Sequence, residues 1–381
     1  MIYYVNPRAP KPTYPTLIQL LTGEAPKTIH PTPGATVTYK RTSIDPPPNA
    51  GDFDLGAFIA ALRNYCETFS TTMEKPRASL YRTFSIPKRS GGLREINAPN
   101  EELSYALITL KSLFAMYIGD HYHHCAAHAY VNGRSSVTAV KVHQQAESEW
   151  FVKFDFKNFF GSTTLEFLLS MCSIIYPLNL VMENEEGKTY LSKALELCFL
   201  NGGLPQGTQM SPFLTNLMMI PIDHELLSYA AAEHSPHLVY TRYADDITIS
   251  CKYSFNFREV EARINNILGN FGAPFRIKPE KTHYGSNKGS NWILGLMLNK
   301  DNQITVGYEN KKEFKSMLCN YICSFQQRRY WDVGEVMKLQ GKISYFRSIE
   351  PGYIDYLIKS YNEKFHSDIM RYIKMQLRGE V

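Results

Sequence analysis

Three aspartates stand where an ordinary core would not put them. Asp155 sits in "FVKFDFKNFF", with Phe151, Val152, Phe154, Phe156, Phe159 and Phe160 around it. Asp245 and Asp246 are adjacent in "YTRYADDITIS", where Tyr240, Tyr243, Ile247, Thr248 and Ile249 are strand-formers. Two carboxylates about 4 Å apart repel by roughly 4 kcal/mol at an effective dielectric of 20, so a packed pair needs protons, donors or a cation. Singly, each has an ordinary explanation: an exposed Asp-Asp turn, and a helix N-cap at Asp155. Brought together on adjacent strands, they make the oxygen donor set of a two-Mg²⁺ site, which clamps the attacking and leaving oxygens of a phosphoryl transfer.

The elements that must position these acids alternate between strand and helix, which favours an α+β or α/β core. "LYRTFSIPKRSGGLREINAP" (80–99) reads as a hairpin with a basic tip, its Ser-Gly-Gly turn able to supply positive φ. A helix is predicted over about 101–120, a strand in "EWFVKFDFKNFF", and a continuing helix in "TLEFLLSMCSIIY". "GGLPQGTQMSP" (202–212) is a glycine- and proline-punctuated loop before a helix, lying between the two acidic strands in sequence. Ahead of these, residues 1 to about 50 are proline-rich and read as an arm or linker. A helix then starts near Phe53, with Leu55, Phe58, Ile59, Leu62, Tyr65 and Cys66 on one face. Beyond "ILGLMLN" the chain is helical and basic, carrying Lys311, Lys312, Lys315, Arg328, Arg329, Lys338, Lys342 and Arg347.

Composition bounds the rest. With 381 residues, 44% of them hydrophobic, the chain is long enough for two or three packed units. A net charge of +5 permits a polyanionic partner without requiring one. Seven cysteines without a CxxC pair indicate neither a disulfide framework nor a zinc ribbon, and fit a reduced cytosol. The start lacks a signal-peptide pattern and no run approaches the ~20 apolar residues of a spanning helix, so the expected location is cytoplasmic, away from membranes. "HYHHCAAH" clusters His121, His123, His124, Cys125 and His128, but no spaced second ligand pair supports zinc.

In order, "FDFKNFF", "GLPQGTQMSPFLTNL", "YADD", "PEKT" and "ILGL" resemble motifs A to E of reverse transcriptases, over about residues 80 to 350. The resemblance implies an α+β right-hand polymerase: an N-terminal arm and helical extension (1–79), fingers and palm with an antiparallel sheet (80–300), and a basic helical thumb (301–381). It implies an RNA-directed DNA polymerase using dNTPs and two Mg²⁺ ions, with Mn²⁺ as a substitute. Asp155, Asp245 and Asp246 would be the metal-binding and catalytic acids, with the Phe156 carbonyl an extra ligand and Lys281 the motif D lysine near the leaving pyrophosphate. Lys88 and Arg94 would grip the triphosphate, Phe160 would be the steric gate against a 2′-hydroxyl, and Gln206 and Gly207 would contact the incoming nucleotide. Arg134 and Ser135 would line the template–primer track, and Trp292, Leu294 and Gly295 the primer grip. The thumb's basic residues would contact phosphates.

Compactness after the thumb resembles bacterial retron and defence-associated enzymes that work with a dedicated noncoding RNA template and leave a cDNA product. An effector protein or a homo-oligomer partner stays open. Where retrons tend to show NAxxH and VTG, this chain has "AVKVH" and "ILG". The reading therefore favours an antiphage defence enzyme of the group II intron-like branch. A retron enzyme making msDNA is the alternative, ahead of a template-independent polymerase or an RNA-binding scaffold.

Overall fold

The computed structural model describes residues 3–4, 53–88, 91–119, 123–232, 237–286 and 292–381. Of the proline-rich arm only Tyr3–Tyr4 falls among these, as a short strand parallel to Ile175–Tyr176. The expectations for the rest of residues 1–50, and for His121, lie outside the described residues. Two compact units form: Met1–Ser135 with Ser148–Tyr284, and Ser136–Glu147 with Gly285–Val381.

Four strands make a sheet: β1 (Trp150–Asp155), β2 (Val239–Tyr243) and β3 (Asp246–Cys251) of the first unit, and β4 (His283–Ser286), within which the first unit ends, in the order β2-β3-β1-β4. β3 is antiparallel to both neighbours, with Phe154 opposite Ile247 and Tyr240 opposite Ile249. Strand periodicity sends alternate side chains to opposite faces. Val152, Phe154, Ile247 and Ile249 thus enter a core shared with the helices Leu165–Cys172, Met210–Met218, Ile220–Ala230 and Phe257–Asn270. Asp155, Lys153, Asp246 and Thr248 share the other face.

The helix Leu55–Thr68 is capped by Asp54, which accepts the Ala57 amide at 2.9 Å, and it buries Phe58, Ile59, Leu62, Tyr65 and Cys66 as the periodicity predicts. The expected hairpin is present as Tyr81–Pro87 paired with Leu93–Pro99, and the next helix spans Glu101–Tyr117 behind an Asn100 cap. The helix expected through "TLEFLLSMCSIIY" ends at Cys172 instead, because Ile175–Tyr176 pairs with the N-terminal strand.

The second unit joins the helix Ser136–Gln145, a three-stranded meander and the helices Tyr308–Gln326, Val333–Ile349, Pro351–Phe365 and Ile369–Leu377. Gln144 and Asn302 exchange hydrogen bonds of 2.7 and 2.8 Å between side-chain amides and main-chain carbonyls. Phe314, Leu318, Leu339, Ile343, Ile354 and Ile373 are buried here. The unit boundary falls at Gly285, so the "ILGLMLN" hairpin clusters with the basic helices. Among the described residues no helix is long and apolar enough to cross a membrane.

Candidate active site

The antiparallel register places Asp155, last residue of β1, directly opposite Asp246, first residue of β3. Asp245 belongs to the two-residue turn that joins β2 to β3, and its carbonyl accepts the Phe156 amide at 3.2 Å. Ala244, the other turn residue, takes φ 57°, in the left-handed region that a Cβ disfavours. Three carboxylates therefore meet at one end of a pair of strands. Asp155 is only 8% exposed. Its two oxygens accept from Lys278 at 2.5 Å and Lys281 at 2.7 Å.

The electrostatics follow from this crowding. Burial, then the charge of Asp155, raises the Asp245 pKa above the usual carboxylate range. Burial, then Asp245 and Asp155, pushes Asp246 up to about 7. Lys281, its ammonium bonded to Asp155, has its pKa raised. Carboxylate oxygens are the hard donors that divalent cations prefer. Three carboxylates converge here while both lysines bond only Asp155, which leaves the oxygens of Asp245 and Asp246 to such ions, so the donor set fits them. No preformed cage of three His, Cys, Asp or Glu groups is found among the described residues.

Around the acids, the loop carrying Gly203 and Gly207 approaches a helix and a strand closely enough to require glycine. The Leu204 amide donates to the Phe160 carbonyl at 3.0 Å, and a Cβ at Gly203 would collide with the Gly161 carbonyl. At Gly207, φ is 122° and a Cβ would stand 2.9 Å from the Asn97 carbonyl, while the Asn97 amide donates to the Gln206 carbonyl at 2.7 Å. The "LPQG" loop is thereby bonded both to the segment carrying Phe160 and to the base of the basic hairpin. Phe160 is half-buried, with its ring edge-on to Phe159 at 5.7 Å. The Phe156 side chain is core, stacked on Phe159, so what it offers the site is backbone.

Lys88 and Arg94 are exposed on the hairpin. Arg134 is half-buried, and its Nη1 donates to the carbonyls of His124, Cys125 and Ala127 at 2.9, 2.9 and 2.5 Å; Ser135 beside it is exposed. In the second unit, Leu294 (φ 53°) and Gly295 (φ 80°) form a two-residue turn between strands begun by Trp292 and Leu296. His124 is half-buried, its pKa lowered to about 4 chiefly by desolvation, with its ring edge-on to His224. Sequence reasoning missed Lys278, although a lysine three residues before Lys281 in the "KPEK" turn was a readable signal. It also missed Tyr130, 60% exposed at φ 58°, whose phenol pKa is raised by partial desolvation and then by the charge of Asp245.

An antiparallel sheet presenting three acids beside a basic hairpin and a glycine-shaped loop is the arrangement expected of a nucleotide-transferring polymerase. The family profile described as reverse transcriptase (RNA-dependent DNA polymerase) matches residues 86–315, and the chain belongs to that family: it is an RNA-directed DNA polymerase with an α+β right-hand fold. The family uses divalent metal ions and dNTPs. Among curated relatives, the retron Ec83 reverse transcriptase of Escherichia coli is 27% identical over 318 residues, covering 80% of this chain and 94% of that one. The retron Mx162 reverse transcriptase of Myxococcus xanthus is 29% identical over 271 residues, covering 64% and 52%. Apo telomerase from Candida Tropicalis gives a TM-score of 0.43 at 12% identity, covering 84% of this chain and 67% of that one.

Proposed function

We propose that this chain is a retron-type reverse transcriptase that copies a dedicated noncoding RNA into DNA in the bacterial cytoplasm, as part of antiphage defence. The observation that carries the chemistry is the register of Asp155 opposite Asp246, with Asp245 in the turn beside them. The retron names of the relatives, and the near-complete span of the Ec83 enzyme, move the preference from the group II intron-like branch to retrons. An effector or a second copy of the chain remains part of this proposal.

Asp155, Asp245 and Asp246, with the Phe156 carbonyl, would hold two Mg²⁺ ions. Such ions, when bound, activate the primer hydroxyl and stabilise the leaving pyrophosphate. Lys281, 51% exposed and bonded to Asp155, would protonate that leaving group. Lys88 and Arg94 on the hairpin would hold the triphosphate through charge-assisted bonds. Gln206 and Gly207 would seat the nucleotide, Arg134 and Ser135 the template–primer, and Trp292, Leu294 and Gly295 the primer end. Phe160 would exclude a 2′-hydroxyl, so Phe160→Ala should relax discrimination against ribonucleotides by about 10–200-fold, the range a pocket contact supplies. Wild-type enzyme that takes UTP as readily as dTTP would remove that role.

The test of the proposal is to sequence the nucleic acid that co-purifies with the wild type and with Asp246→Ala, each expressed from its native locus. One abundant RNA in both, with complementary DNA only in the wild type, is the expected result. A diffuse RNA pool without mutant-sensitive DNA would overturn the dedicated template.

A further inference from the structure

Behind the catalytic turn lies an ion pair that no exposed surface reaches. Arg242 on β2 and Asp223 on the helix Ile220–Ala230 are both 0% exposed. The guanidinium grips the carboxylate with both tines, Nε to Oδ1 at 2.8 Å and Nη2 to Oδ2 at 2.7 Å, and the Tyr240 hydroxyl donates to Oδ1 at 2.6 Å. Bidentate pairing leaves Nη1 over. It donates to the Ala244 carbonyl at 3.1 Å and to Asn216 Oδ1 at 3.2 Å. Asn216 in turn donates through Nδ2 to the Ala129 carbonyl at 2.9 Å. The Arg242 backbone adds two bonds to the same segment, its amide to the Ala126 carbonyl and its carbonyl from the His128 amide, each 2.8 Å.

The residues so reached are informative. Ala244 immediately precedes Asp245, and Ala129 immediately precedes Tyr130. Ala244 and Tyr130 both hold left-handed backbone, φ 57° and 58°, which side chains other than Gly, Asn and Asp rarely adopt unless their surroundings impose it. Stability alone does not call for such a pair, because well-packed apolar residues often replace a buried ion pair without loss. Lysine would supply the charge but not the planar fork with a spare nitrogen.

We propose that Arg242, fixed by Asp223, is a positioning residue: its third nitrogen holds the strained Ala244–Asp245 turn in its working geometry and, through Asn216, ties it to the segment presenting Tyr130. This rests on the reading of Asp245 as a catalytic acid. A misplacement of about 1 Å at a reacting group costs on the order of 100-fold in rate. The device therefore acts on kcat and leaves substrate binding alone.

The experiment compares Asp245→Ala, the triple variant Arg242→Met/Asp223→Leu/Tyr240→Phe, which removes both charges and the Tyr240 hydroxyl and takes the Nη1 donor away from Asn216 Oδ1 and the Ala244 carbonyl, and Arg242→Lys, which keeps the charge for Asp223 if the triple variant does not fold. Steady-state extension of an RNA template–primer by dTTP is measured with thermal unfolding and template–primer affinity. The expected result is a folded protein with KM and affinity within about threefold of wild type and kcat lowered roughly 100-fold. Ala244→Gly in the same background should recover part of kcat, since glycine takes positive φ without strain. Folded Arg242 variants with wild-type kcat, or with KM alone raised, would overturn the inference while Asp245→Ala is inactive. An active Asp245→Ala would instead overturn the site reading beneath it.

Discussion

Two charged clusters share one sheet and are built on opposite principles. At Arg242 and Asp223, one positive and one negative group are fully buried, and the carboxylate accepts from Arg242 and Tyr240 while the spare nitrogen of the arginine is also bonded. Burial works against the arginine's charge, but Asp223 more than offsets it and its pKa is raised. At the end of β1 and β3, three carboxylates face two lysines, and two of those acids have raised pKa values. The first cluster is satisfied by the fold. The second is left short of positive charge, which the fold does not need and a metal-dependent reaction does.

This contrast can be broken by single substitutions of opposite sign. The larger effect belongs to the balanced cluster: Arg242→Met leaves Asp223 charged and buried, and should destabilise the protein by about 3–5 kcal/mol in urea unfolding. A change under about 1 kcal/mol would mean that the pair is not buried in solution.

The smaller effect belongs to the unbalanced cluster and has the other sign. The folded pKa of Asp246, about 7, lies above the unfolded value near 3.9. The folded state therefore binds the extra proton between about pH 4 and 7, and stability from this group falls as pH rises through that window. Asp246→Asn, which cannot ionise, should raise the metal-free melting temperature above pH 7 by roughly 2–4 °C, the shift that about 1 kcal/mol gives a large domain. Added Mg²⁺ should stabilise the wild type more than this variant. A lower melting temperature for Asp246→Asn in metal-free buffer would show that the acids do not repel.

The unbalanced cluster was also the more legible in sequence, for the same reason. Aspartates among phenylalanines, or doubled within a run of strand-forming residues, contradict their local setting, and that contradiction is visible within ten residues. Arg242 and Asp223 contradict nothing locally: an aspartate near the start of "IPIDHELLSYA" reads as an ordinary first-turn acid, and its partner is 19 residues away on another element. The approach of Gly203 to Gly161 was equally hidden, because it depends on a loop meeting the helical turn Phe159–Ser162. Periodicity found the first helix and the basic hairpin, yet ran the helix after Thr164 past Cys172, where pairing of Ile175–Tyr176 with Tyr3–Tyr4 overrode local preference.

The central claim is that Asp155, Asp245 and Asp246 form the catalytic centre of an RNA-directed DNA polymerase, and its most direct test is primer extension on an RNA template with dNTPs and Mg²⁺. Wild type and Asp245→Ala are compared, with RNA affinity measured alongside. The account predicts DNA synthesis by the wild type and a loss of about a thousandfold or more in the variant, several kcal/mol of transition-state stabilisation, at unchanged RNA affinity. Extension by Asp245→Ala at the wild-type rate would contradict it.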